Sequence, residues 1–472
     1  MKNTCLLTSG MMLGALSLYA QASDQPNIIF IYADDLGYGD LGCYGSQVNR
    51  TPNLDRMAVE GIRFTDFYSA SSISSPSRAG LMTGRHPIRM GIHAVFFPGS
   101  YTGMPQNEIT MANALQDAGY YTGIVGKWHL GHMPEYRPLQ RGFHEYFGIP
   151  YSNDMNPSIY MENNEAGNRM VNQDSITYHY TQRAVRFIEE NQDRPFFLYL
   201  AHNMPHVPLG ASPAFKGKSP HGLYSDVVEE LDWGIGEVLN KLDELGLDEN
   251  TIVIFSSDNG PWLTEGPHGG VATPLFQGKG TSWEGGQRVP AIIRWKKAIQ
   301  PGQVHSDMAC MLDWFPTLVK LAGGKVPADR IIDGEDISPV LLGTGKRPTQ
   351  DFAYIEYGKV LAYRSGDWKM IVPEEERKGN FWVADVPAHD TVLYNLKADI
   401  GEQTEVKDQH PEVLERLTKK MDAFKETLKD CPPPLFVMEW YTEMFTNQQR
   451  REVIEEAKRK GIEPKSGVTS DY

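Results

Sequence analysis

The sequence predicts an α/β fold: a large mixed, mainly parallel sheet flanked by helices, with a smaller C-terminal α+β subdomain. Three observations carry this. The run 27–33 is continuously apolar and β-branched, the pattern of a strand buried on both faces of a parallel sheet; 195–201 and 251–255 read as further buried strands, and 121–125 as another strand. Amphipathic stretches lie between them; in Ser225–Leu245 a buried stripe runs through Val227, Val228, Leu231, Ile235, Val238, Leu239 and Leu242. After about residue 345 the texture changes, and 361–371 alternates and turns like an antiparallel hairpin.

With 472 residues, 40% hydrophobic and 22% charged, the chain is long enough for one large core plus a smaller module. A formal net charge of −15 argues against nonspecific nucleic-acid binding, although a local cationic pocket can still receive an anion. Residues 1–22 read as a signal peptide: Lys2, an apolar stretch from Leu13 to Tyr19, then Ala20-Gln21-Ala22 before Ser23. That apolar stretch is too short to span a membrane, so the expectation is an exported protein with no membrane span. The mature chain keeps Cys43, Cys310 and Cys431, enough for at most one bridge, and their spacing suits no zinc site.

In chain order, the strand at 27–33 delivers Asp34-Asp35 at its carboxyl end, where open α/β sheets gather their ligand sites. The pair is either a solvated turn or two carboxylates with a hard cation between them. Thr51–Asp55 opens a short helix with proline in its first turn, its core face running through Leu54, Met57, Ala58 and Ile62. In Ser74-Ser75-Pro76-Ser77-Arg78, Ser75 should be extended before Pro76, and Ser74 should lie just upstream of a helix N-terminus. Such a position favours a negative group, with Arg78 one turn on and able to reach back. An ordinary serine-capped helix fits these residues equally well.

Met111–Ala118 reads as a helix closed by Gly119, and the strand after it delivers Gly126-Lys127-Trp128-His129. Residues 153–175 show no clear period and read as a surface excursion shaping specificity. A helix follows at 175–190, then a strand ending in His202-Asn203-Met204-Pro205-His206. The strand at 251–255 ends in Asp258-Asn259, and Gly278-Lys279-Gly280 opens a glycine-rich turn. Ala291–Trp295 reads as a further strand, with helices at 311–322 and 411–428. The expected organisation is a signal peptide at 1–22, a main domain at 23–345, a subdomain at 346–430 and a tail at 431–472.

The twelve residues Ser74 to Arg85, Ser-Ser-Pro-Ser-Arg-Ala-Gly-Leu-Met-Thr-Gly-Arg, resemble the maturation signature of the type I, formylglycine-dependent sulfatases. Four other segments, 34–40, 126–131, 202–208 and 256–290, are also similar to that family, closest to its arylsulfatase A and N-acetylgalactosamine-6-sulfatase branch. The resemblance implies an alkaline-phosphatase-like fold, with residues 23–345 as the catalytic domain, and oxidation of Ser74 to Cα-formylglycine. It implies Ca2+, with Mg2+ the lesser alternative, held by Asp34, Asp35, Asp258, Asn259 and residue 74. Arg78, Lys127 and Lys279 would supply positive charge, His129 would take a proton from the nucleophile, and His206 would protonate the leaving oxygen. Ser152 matches a family serine near the sulfate.

Serine rather than cysteine at 74 resembles the bacterial variant matured by a serine-competent anaerobic enzyme before export, so the resemblance points to a periplasmic product. The implied chemistry is covalent: a formylglycine hydrate attacks sulfur, a sulfo-enzyme intermediate forms, and the second hydroxyl expels sulfate. The expected substrate is O-sulfate on galactose or N-acetylgalactosamine of glycosaminoglycan- or mucin-type glycans. His132, Arg137 and the aromatic Phe96, Phe97 and Tyr101 are candidate sugar contacts. The competing readings are an arylsulfatase of small aromatic sulfates, a phosphatase or phosphonate monoester hydrolase using Ser74 itself, and a sulfated-glycan binding protein without turnover.

Overall fold

The computed structural model describes residues 25–435 except 157 and 379–382. The signal-peptide reading at 1–22, and the tail beyond 435 with its charged segment at 450–460, lie outside the described residues. The first strands are β1 (Asn27–Ala33), β2 (Ile62–Phe64), β3 (Phe67–Tyr68), β4 (Tyr121–Gly126) and β5 (Glu145–Gly148). Next come β6 (Ile159–Glu162), β7 (Glu165–Met170), β8 (Phe196–Ala201), β9 (Thr251–Ser257), β10 (Ala291–Arg294) and β11 (Gln303–His305). The last are β12 (Ala309–Cys310), β13 (Asp351–Glu356), β14 (Lys359–Ser365), β15 (Trp368–Ile371) and β16 (Val392–Asn395). The main sheet has ten strands in the order β11-β2-β10-β9-β1-β8-β4-β5-β6-β7. Its centre, β9-β1-β8-β4-β5, is parallel throughout, and β10 pairs antiparallel with both β9 and β2.

The central strands are apolar on both faces because both faces are covered. Along β1, Ile28, Phe30 and Tyr32 enter one core, and Ile29, Ile31 and Ala33 enter the other. The helices are α1 (Pro52–Glu60), α2 (Ser74–Thr83), α3 (Met111–Asp117), α4 (Ile176–Glu190) and α5 (Leu223–Glu244), followed by α6 (Glu284–Gln287), α7 (Trp314–Leu321), α8 (Ser338–Leu341) and α9 (Pro411–Glu426). Buried residues of α2, α3 and α7 line the first core, and those of α1, α4 and α5 line the second. The smaller antiparallel sheet, β13-β14-β15-β16, packs Ala353, Tyr363 and Met370 against Leu417 and Met421 of α9. Among the described residues no helix is long and apolar enough to cross a membrane.

The structure departs from the local sequence pattern at four places. Ile62 is not on α1: Gly61 ends that helix, and Ile62 is buried in β2. The stretch 153–175 is not a mere excursion, since it holds β6 and β7, an antiparallel pair that extends the main sheet beyond β5. Ser74 and Ser75 are helical, the first residues of α2 with Ile73 as N-cap. The penalty a proline places on the residue before it is outweighed by close packing, in which the Ser75 Oγ accepts the Phe96 N–H at 3.0 Å. Phe96 is 1% exposed, a core residue with no face left for a sugar.

Cys43, Cys310 and Cys431 are free thiols. A buried charged cluster ties the small sheet to the main one. Lys369 on β15 lies 3.0 Å from Glu284 and 2.8 Å from Glu402, while Arg364 on β14 reaches Asp66 at 2.7 Å.

Candidate active site

Parallel strands placed side by side end on the same edge of the sheet. The register pairs Ala33 with Ser257 and Gly126 with Ala201, so the loops after β1, β9, β4 and β8 leave at one level. Backbone hydrogen bonds then sew them together: Asp34 N to Met204 O at 3.2 Å, Asp258 N to Ala33 O at 3.2 Å, and Lys127 N to Ala201 O at 2.7 Å. Two glycines make this approach feasible. Gly126 has φ 122°, and a Cβ there would sit 1.8 Å from the Ala201 carbonyl oxygen. A Cβ on Gly260 would sit 1.7 Å from the Gly285 oxygen, where the Asp258 loop crosses the one that carries Lys279. Asp35 itself is held left-handed at φ 61°, a conformation that aspartate tolerates better than most residues.

Ser74, the first residue of α2, stands at the centre of this edge. Its hydroxyl lies 2.6 Å from Asp258 Oδ2 and 3.2 Å from Asp34 Oδ1, with Lys127 Nζ 3.3 Å away. Lys127 also donates to Asp34 Oδ2 at 2.6 Å and to Ser152 Oγ at 3.3 Å. Arg78, one turn along α2, donates to Asp258 at 2.8 Å and lies 3.4 Å from Asp34. Lys279 donates to Asp35 Oδ2 at 2.7 Å, and His206 Nε2 sits 3.6 Å from the same oxygen. Asn259 donates from Nδ2 to Asp35 Oδ1 at 2.7 Å.

Three carboxylates and three cations are therefore interleaved in an almost fully buried hollow. Burial alone would push the Asp34 carboxyl up, but Lys127, His206 and Arg78 outweigh it and bring its pKa down to about 2. Burial pulls the Lys127 ammonium below the usual lysine value. Burial likewise opposes charge on Lys279, yet Asp35 and Asp34 prevail and hold its pKa up.

Burial, then Lys127 and Arg78, hold His129 far below the ordinary histidine value, so its ring is neutral. Its Nε2 faces the Phe96 carbonyl oxygen at 2.8 Å. A carbonyl only accepts, which assigns the proton to Nε2 and leaves Nδ1 as the basic nitrogen.

The structure thus brings together Asp34, Asp35, Ser74, Arg78, Lys127, Ser152, His206, Asp258, Asn259 and Lys279. His132 packs on the Tyr151 ring at 4.9 Å. Arg137 spends Nε on the His132 carbonyl and Nη1 on that of Asn164, both at 2.9 Å. His202, next to the β8 terminus, points the other way toward Tyr180, and burial drops its pKa to about 3.

Trp262 was not legible as a site residue. It is 2% exposed, with Lys279 Nζ 4.4 Å from its ring centroid and the His206 ring at 5.2 Å. It lies inside the family-like segment 256–290, between Asn259 and Lys279, but no candidate role was read for it, and its position three residues after Asn259 was the one available signal.

The donor set suits a hard divalent cation. One ligand atom from each of Asp34, Asp35 and His206 lies within 4.8 Å of the others, and Asp258 shares Ser74 with Asp34. Among the described residues, the buried Asn259 Oδ1 has no hydrogen-bond partner, a neutral oxygen left over for coordination.

The sulfatase family model matches residues 26–324. The chain belongs to the sulfatase family. It is a sulfuric ester hydrolase, and a model for the C-terminal region of N-sulphoglucosamine sulphohydrolase matches residues 275–427. This sulfatase is 39% identical to human arylsulfatase A over 88% of the chain and 91% of that protein. It is 38% identical to mouse N-acetylgalactosamine-6-sulfatase over 90% of the chain and 91% of the relative. Among solved structures it resembles a 6S-sulfatase from a Bacteroides thetaiotaomicron glycosaminoglycan locus, with TM-score 0.79 and 31% identity over 86% of this chain and 100% of that one. It also resembles the PsFucS1 sulfatase of Pseudoalteromonas, with TM-score 0.80 and 29% identity over 86% and 91%.

Proposed function

We propose that this sulfatase removes O-sulfate from galactose or N-acetylgalactosamine in glycosaminoglycan- or mucin-type glycans, with Ser74 oxidised to Cα-formylglycine as the reacting residue. The observation that carries the reading is the position of the Ser74 oxygen, between Asp258 and Asp34 and within reach of Lys127. A calcium ion would be held by Asp34, Asp35, Asp258 and Asn259 with residue 74, where it would polarise a sulfate oxygen and favour ionisation of the attacking hydroxyl.

The chain's own residues supply the rest. Arg78, Lys127 and Lys279 place fixed positive charge where negative charge develops on the sulfuryl oxygens. Ser152, hydrogen-bonded to Lys127, holds that ammonium toward the same spot. His129, neutral with Nδ1 basic, accepts the proton of the hydroxyl at residue 74 that expels sulfate. His206 gives a proton to the departing sugar oxygen, and such general acid–base help typically supplies about 10²- to 10⁴-fold. His132 and Arg137 belong to the sugar-facing side of this reading.

Support for a galactose-type sugar comes from similarity to N-acetylgalactosamine-6-sulfatase, and to a protein solved with a neocarrahexaose at 30% identity. Export to the periplasm by the signal at 1–22, after maturation by a serine-competent anaerobic enzyme, completes the proposal. The test is sulfate release from a panel of defined sulfated mono- and disaccharides, alongside 4-nitrophenyl sulfate, phosphate and phosphonate. Preferential turnover of galactose or N-acetylgalactosamine sulfates is expected. Turnover of the aryl sulfate alone, of phosphate or phosphonate esters alone, or binding without turnover would each overturn it.

A further inference from the structure

Resting on the roles given above to His206 and Lys279, we propose that Trp262 is a positioning residue for the leaving-group side of the site. Its indole holds the Lys279 ammonium and the His206 imidazole side by side, where the sugar oxygen departs. The Lys279 Nζ lies over the indole, 4.4 Å from the ring centroid, and the His206 ring meets it edge-on at 5.2 Å and 66°. Both groups also converge on a single oxygen, Asp35 Oδ2, at 2.7 Å from Lys279 Nζ and 3.6 Å from His206 Nε2. Asp35 and Trp262 together therefore define where the two proton carriers stand.

The indole is itself pinned. Its Nε1–H donates to Thr264 Oγ1 at 2.7 Å. The preceding carbonyl, Pro261 O, accepts the Lys279 N–H at 2.9 Å, so the Trp262 and Lys279 loops are joined at the backbone as well as through the side chains.

An aromatic face suits this task better than a second carboxylate. It attracts an ammonium through its quadrupole without taking up one of its N–H donors. After Asp35 has taken one N–H, Lys279 keeps others for substrate. A carboxylate in that place would compete for those protons. His206 is oriented in the same way: its Nδ1 lies against the Val207 carbonyl, which fixes that nitrogen as the donor, and its contact with the indole hinders the ring from turning. Nε2 is left facing the site.

In the step concerned, sulfur passes to the oxygen at residue 74 and the bond between sulfur and the sugar oxygen breaks. The electron pair stays on the sugar oxygen, which takes the proton His206 carries, with Lys279 alongside. A leaving group that is stable as an anion needs no such proton. The contribution of Trp262 must therefore scale with the basicity of the leaving group.

The experiment measures kcat and KM of wild type, Trp262→Ala and Trp262→Phe, each as the matured calcium-loaded enzyme. The substrates are 4-nitrophenyl sulfate, phenyl sulfate and N-acetylgalactosamine 6-sulfate. For Trp262→Ala, kcat/KM should fall about 10- to 30-fold on the last two, the range a desolvated cation–π contact supports. The fall should lie in kcat, with 4-nitrophenyl sulfate changing by no more than about threefold, and Trp262→Phe should restore most of the loss. Should Trp262→Ala not fold, Trp262→Leu, which keeps bulk but no ring face, carries the same comparison. Equal losses on all three substrates, or a loss confined to KM, would overturn the proposal alone. Absence of turnover by the wild-type protein would overturn the reading of the site and this proposal with it.

Discussion

Replacing Glu402 with glutamine should change how stability depends on pH. Glu402 lies in the charged cluster joining the two sheets, with Lys369 Nζ 2.8 Å from its carboxylate, and it accepts the Glu284 N–H at 2.8 Å. Lys369 serves Glu284 as well, and one ammonium cannot compensate two buried carboxylates. Glu284 takes the charge: burial opposes it, but Lys369, Arg288 and Arg364 hold its pKa down to about 2. Glu402 gives way, its pKa raised from 4.5 to about 7 by burial, with the Glu284 charge adding to the rise against the pull of Lys369.

A carboxyl with a raised folded-state pKa binds more protons folded than unfolded. Its stabilising contribution is thus complete below pH 4.5 and is lost as pH rises to about 7. A rise from 4.5 to about 7 corresponds to on the order of 3 kcal/mol. Glu402→Gln cannot ionise; with its one oxygen on the Glu284 N–H its NH2 group faces the Lys369 ammonium, a cost that does not vary with pH. The stability of the variant relative to wild type should rise between pH 4 and pH 8, by on the order of 3 kcal/mol or several degrees in Tm. Urea denaturation or thermal melting of both proteins at matched pH reads this directly. Parallel stability curves from pH 5 to 8 would refute the reasoning, as would a variant that loses ground as pH rises.

Three further outcomes follow from the same geometry. Asp258→Ala should lose stoichiometric calcium and sulfate release together; calcium retained at full stoichiometry by isothermal titration would remove Asp258 from the metal shell. Gly126→Ala places a Cβ 1.8 Å from the Ala201 oxygen and forces Lys127 out of line, so a Tm drop equivalent to at least about 2 kcal/mol is expected, with near-complete loss of activity. Lys127→Met removes the cation shared by Asp34, Ser74 and Ser152, and kcat should fall about 10²- to 10³-fold; a loss under tenfold would contradict that role.

The central sheet was legible because its strands carry an unmistakable texture. After Asn27 the strand is apolar at every position through Ala33 and buried throughout, and only a strand covered on both faces needs that. The polar residues breaking each run, Asp34-Asp35, Lys127, His206 and Asp258-Asn259, then converge because parallel strands end at one edge. Strands that pair at the rim were harder. β6 and β7, Ile159–Glu162 and Glu165–Met170, are short, and β7 is polar; their identity depends on the pairing of β6 with β5 and of β7 with β6. Ser74 and Ser75 were misplaced by a local rule about proline that the packing of α2 overrides. Trp262 stayed hidden for a related reason. Its partners, Lys279 and His206, lie far off in sequence, and nothing local distinguishes a tryptophan that holds a cation from one that fills a core.

The proposed chemistry depends on Ser74 being the oxidised, reacting residue, and mass spectrometry of the tryptic peptide 64–78 from active protein tests this most directly. A peptide lighter by two hydrogens at Ser74, in a fraction that tracks the rate of sulfate release from preparation to preparation, is the expected result. Full activity in a preparation whose Ser74 is intact would contradict it.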